Sequence, residues 1–167
     1  PDEKTAVGIP TSGGSLIYNG QEQTASILGN DYYTASSETG TNVGEYSVTL
    51  TLKDTENSAW GNTDNTEPLT LKWYIVKATV AQPTLPTQSI SYDGNLKTCN
   101  IEKSSTYTIA GNAAVEAGNY TATIELNDTE NYEWSNGGTS PHTINWTIKK
   151  MQVVRPSQTT QSFIYNG

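Results

Sequence analysis

Few side chains in this sequence carry reactive or ligand-binding atoms, and most of those come in pairs 73 or 74 residues apart. Asp54, Glu56 and Asn57 return as Asp128, Glu130 and Asn131 inside an unchanged Asp-Thr-Glu-Asn run. Two carboxylates and an amide so close together offer oxygens to a hard cation such as calcium, which takes six to eight of them. The spacing matches no known calcium loop, however, and an Asp that caps its own backbone in a turn uses the same residues. Cys99 and His142 are the only members of their types. A cysteine nucleophile needs an adjacent base, but Cys99 matches Ala25 in the earlier copy and His142 matches Leu69, so no Cys-His pair is expected. Lys53, a candidate for a lysine-to-asparagine crosslink, matches Asn127. Asn119, Asn127 and Asn145 open formal glycosylation triplets, but Glu45, Lys53 and Lys72 stand in their places one copy earlier. No phosphate loop, metal cluster or carboxylate pair with a base is visible, so no catalytic residue, cofactor or metal is expected.

Aromatic residues are the remaining candidates. Trp60 with Trp134, and Trp73 with Trp146, recur at matched positions. An exposed set of such rings stacks on sugars, whereas a recurring one fills a core that each copy needs for itself. Trp73 and Trp146 sit on the apolar phase of a strand and read as core. Trp60 and Trp134 follow a turn and stay open between core and surface binding, as do Tyr32, Tyr33 and Tyr107. Tyr46 and Tyr120 head a long strand after Gly-x, where a tyrosine hydroxyl can tie to nearby backbone.

The elements that position these groups follow from the repetition. Ile17-Tyr18-Asn19-Gly20 recurs as Ser91-Tyr92-Asp93-Gly94 and as Ile164-Tyr165-Asn166-Gly167, preceded by Pro10, Pro83 and Pro156. The stretch from Val43 to Leu52 returns from Ala117 to Leu126. These landmarks place one repeat at residues 1–77, a second at 78–150 and the start of a third at 151–167. No Gly/Ser- or Pro-rich linker separates them, so a stiff junction is expected. Tyr46, Val48, Leu50 and Leu52 alternate with Ser47, Thr49 and Thr51; Trp73, Ile75, Trp146 and Ile148 continue the two-residue period in the closing strands. That period means strands with one buried and one wet face. With turns at Asn19-Gly20, Asp93-Gly94 and around Gly137-Gly138, it predicts an all-β chain of small two-sheet sandwiches. The first strands of the third repeat would dock on the second or pair with another chain.

Composition agrees. Ser and Thr make up about a quarter of the 167 residues, and the hydrophobic fraction of 34% suits thin cores. A net charge of −8 with scattered Lys and Arg argues against nucleic acid and anionic membranes, which need clustered cations. No apolar run reaches the length of a membrane span, so direct membrane insertion is not expected. The chain starts at Pro1 without a signal peptide and reads as a piece of something longer. One cysteine precludes an intramolecular disulfide.

Taken together, Tyr-(Asn/Asp)-Gly, Gly-x-Tyr opening a Thr-rich strand, Asp-x-x-Asn before an aromatic, and a closing Trp-x-Ile resemble bacterial immunoglobulin-like repeats. The resemblance covers essentially the whole chain. It implies tandem immunoglobulin-like sandwiches in a large cell-surface or secreted protein, acting as a stalk, spacer or adhesion segment without enzymatic activity. The alternative it leaves open is a module that binds carbohydrate or a host protein beside a secreted enzyme or adhesin. The partners it implies are neighbouring repeats and a host glycan or protein, at an extracellular location.

Overall fold

The computed structural model describes residues 3–85 and 88–167. Pro1, Asp2, Pro86 and Thr87, which the repeat boundaries place in the first and second copies, lie outside the described residues. No helix is present among the described residues, and hence none long and apolar enough to cross a membrane. The strands in chain order are β1 (Thr5–Val7), β2 (Ser15–Ile17), β3 (Gln23–Thr24), β4 (Tyr33–Ser37), β5 (Thr39–Gly40), β6 (Gly44–Leu52), β7 (Ser58–Trp60) and β8 (Leu69–Val76). They continue with β9 (Ala78–Val80), β10 (Ile90–Ser91), β11 (Lys97–Thr98), β12 (Tyr107–Ala110), β13 (Ala113–Ala114), β14 (Gly118–Leu126), β15 (Tyr132–Trp134) and β16 (His142–Lys149).

Two sheets of four strands carry the architecture. The first has the order β2-β8-β6-β4, with small pairs β1-β7 and β3-β5 beside it; the second has the order β10-β16-β14-β12, with β9-β15 and β11-β13. Register follows the sequence match: Tyr46 faces Trp73 across β6 and β8, and Tyr120 faces Trp146 across β14 and β16. The period-two pattern explains the burial. Val48, Leu50 and Leu52 point inward from β6 with Trp73 and Ile75 from β8, while Glu45 and Thr51 face water. Val7 of β1, Trp60 of β7, Tyr33 of β4 and Ala25 join the same core cluster, which therefore lies between the large sheet and the small pairs, consistent with a β-sandwich. Burying each of these large apolar side chains contributes about 1.5–3 kcal/mol.

The chain divides into two compact units. One comprises Pro1–Gln82, Ser104–Thr108 and Glu125–Pro141; the other comprises Pro83–Lys103, Ile109–Ile124 and His142–Gly167. These units follow spatial contacts, whereas residues 77 and 78 mark a boundary of repetition. The first unit takes in β15 and the turn before it because Asn131 hydrogen-bonds to Asn42 and Val43. In the second unit, Cys99, Ile101, Ala122, Ile124, Ile144, Trp146 and Ile148 are buried.

Residues 151–167 depart from expectation. They form no strand, and every one is exposed, including Phe163, Ile164 and Tyr165. The physical reason is the absence of a partner. β1 and β2 pair in parallel with β7 and β8, and β9 and β10 with β15 and β16, whereas these 167 residues hold no third copy of either partner strand.

Candidate functional site

The repeated acidic run is a turn closed on itself. Asp54 Oδ1 accepts the backbone N–H groups of Glu56 and Asn57 at 3.1 and 3.0 Å, and Asp54 Oδ2 accepts Asn57 Nδ2 at 2.8 Å. Asp128 does the same with Glu130 and Asn131, at 3.1, 3.1 and 2.7 Å. The Asn57 and Asn131 side chains, then their backbone N–H groups, hold the Asp54 and Asp128 carboxyls below the usual carboxylate range. With N–H donors aimed at both oxygens, the geometry is that of an Asp capping its own turn. Among the described residues no group of acidic, His or Cys side chains is arranged to hold a metal ion.

The two turns differ in their surroundings. Asn57 is exposed, whereas Asn131 is 5% exposed. Asn131 Oδ1 accepts the Val43 N–H at 2.8 Å, and its Nδ2 donates to Asn42 Oδ1 at 3.2 Å. Tyr18 and Tyr132 meet edge to face beside it, with centroids 5.3 Å apart at 88°. Lys77 Nζ donates to the Thr129 carbonyl at 2.7 Å. The receiving loop is itself pinned, because the Tyr46 hydroxyl donates to the Asn42 carbonyl at 2.8 Å. All of these residues belong to the first compact unit. The matched Tyr120 hydroxyl donates to the Glu116 carbonyl at 2.7 Å.

The aromatic candidates separate by burial. Trp60 and Trp134 are fully buried, and Tyr33 and Tyr107 nearly so, so none offers a ring face to a ligand. This corrects their reading as surface binders. Tyr33 packs on Trp60 at 5.5 Å, Tyr107 packs on Trp134 at 6.0 Å, and each indole N–H donates to a loop carbonyl, Glu67 or Ser140. Tyr32 alone of the five is exposed, at 51%. Trp73 and Trp146 lie in the interior, with the half-buried Tyr46 and Tyr120 rings packed over them at 4.7 and 5.0 Å.

The other reactive groups have structural partners. Cys99 is buried, and burial pushes its thiol upward, away from the nucleophilic thiolate. His142 Nε2 lies 3.2 Å from the Pro83 carbonyl oxygen. Lys53 Nζ donates to the Asn30 carbonyl, and Asn127 Nδ2 donates to the Ser105 carbonyl, so unlike side chains tie down matching loops. Two of the glycosylation triplets lie within a cross-strand ladder: Thr147 Oγ1 donates to Asn119 Oδ1 at 2.8 Å, and the Thr121 hydroxyl bonds to Asn145 Oδ1 at 2.9 Å. Matched places in the first unit hold an ion pair between Glu45 and Lys72 at 3.0 Å, with the Tyr74 hydroxyl donating to Glu45. Sequence reasoning missed Asn131. Its only signal was that an Asn stood in both copies of the turn.

No family model matches the chain, and no curated protein matches it.

Proposed function

We propose that this chain is a run of immunoglobulin-like repeats serving as a non-catalytic stalk, spacer or adhesion segment of a bacterial cell-surface or secreted protein. One observation carries this reading: the chemistry-bearing side chains that recur 73 or 74 residues apart are used to build the fold. The Asp carboxylates close turns, and the tryptophans fill cores and cap loop carbonyls. A protein whose repeated residues all support architecture is suited to holding something else in place. Single-molecule pulling tests it. Two events of roughly 250 Å of released chain each, one per 73-residue unit, are expected. A single event releasing both halves together would overturn the repeat reading.

The alternative, a module for carbohydrate or a host protein, draws on Tyr32, which is exposed close to exposed Leu28. Binding on a glycan array that disappears with Tyr32→Ala would favour it over the stalk.

A further inference from the structure

The contacts around Asn131 are those of a guest turn seated on a host, and every part of the host exists a second time. In the first unit the host consists of Tyr18, Asn42, Val43 and Lys77. Their matches are Tyr92, Glu116, Ala117 and Lys150, which with Met151 line one surface depression. The second host is built in the same way. The Tyr120 hydroxyl pins the Glu116 carbonyl as Tyr46 pins that of Asn42. The Tyr92 N–H donates to the Lys149 carbonyl as the Tyr18 N–H donates to that of Val76, both at 2.9 Å. The Ala117 N–H, matching the Val43 donor, has no partner among the described residues. Glu116 offers an acceptor where Asn42 offers its amide oxygen. The guest end is also duplicated: residues 54–57 hold the hydrogen bonds of residues 128–131 before any host is engaged.

We propose that the Asp-x-x-Asn turn is a docking element between successive copies of the repeat. Tyr92, Glu116, Ala117 and Lys150 form the receiving face for the turn of a copy joined after Lys150. This rests on the repeat reading above. The occupant follows from continuity: Lys77 leads directly into the segment whose Thr129, Asn131 and Tyr132 it helps to hold, and Lys150 is its match. The tyrosine hydroxyls act here as positioning groups, aiming one backbone N–H outward at an amide oxygen.

The test replaces residues 151–167 with a further copy of residues 78–150 and follows amide hydrogen exchange. The Ala117 N–H is expected to exchange about tenfold more slowly than in the present chain. The protection should vanish when the Asn matching Asn131 in the added copy becomes Ala. In the present chain, Asn131→Ala should free the Val43 N–H by a similar factor. Asn42→Ala, which leaves the guest turn untouched, should do so in part. If the added copy folds and the Ala117 rate does not change, the docking inference fails while the stalk reading stands. If the added copy does not fold, both fail.

Discussion

Trp73 and Trp146 occupy matched places in their strands, yet their indole nitrogens differ in what they meet. Trp146 Nε1 donates to the Gly111 carbonyl at 3.0 Å, whereas Trp73 Nε1 is buried with no partner. The cause is local. Gly111 has φ +72°, and a Cβ there would lie 2.4 Å from the Thr121 carbonyl oxygen, so only glycine turns its backbone this way. Its match, Ser37, instead accepts the Ala25 N–H on its hydroxyl. Replacing each Trp by Phe removes similar volume, but at Trp73 it also removes an unsatisfied donor. Trp146→Phe is therefore expected to cost about 1–3 kcal/mol more than Trp73→Phe in urea unfolding. Equal costs would mean that the hydrogen bond contributes nothing. The inward phase of both tryptophans was legible from alternation. Trp60 and Trp134 were not, because strands of three residues are too short to show a period. The burial of Asn131 was invisible because its partners stand 88 and 89 residues away.

Turns and strand pairs set the next scale. The depressed pKa values of Asp54 and Asp128, and those of Glu45 beside Lys72 and Asp93 beside Lys97, mark carboxylates that the folded chain prefers ionised. A depressed folded pKa contributes stability above the unfolded value and loses it as pH falls through the folded one. The urea midpoint should thus be flat above about pH 5 and decline below about pH 4. Replacing both Asp54 and Asp128 with Ala should shallow the decline; an unchanged slope would remove the turns from the account. The tyrosine hydroxyls belong to this scale too. Tyr120→Phe is expected to lower unfolding stability by about 0.5–1.5 kcal/mol, as suits a hydrogen bond at a partly wet edge. The long strands were readable in sequence from their eight- and nine-residue alternation. The two-residue strands, by contrast, take their form from tertiary pairing alone.

For the molecule as a whole, the ordered strands end at Lys149, and the exposed residues beyond hold Arg155. Brief trypsin treatment should therefore cut first near Lys150 and Arg155 and leave the sheets intact; survival of this segment would mean that it pairs with another chain. Cys99 is the sole thiol and is buried in the second unit. Alkylation of the native chain should accordingly proceed at the rate at which that unit opens, with no contribution from the first. One more property lies in how the edges are paired. β2 and β8 run side by side in the same direction, Ser15 opposite Tyr74 and Ile17 opposite Val76, as Ile90 and Ser91 run beside Ile148 and Lys149. Traction on the chain at the two ends of such a parallel pair slides the strands lengthwise past each other. The ladder bonds then share the load together and must break as a group, whereas a hairpin pulled at its open end peels apart one bond at a time.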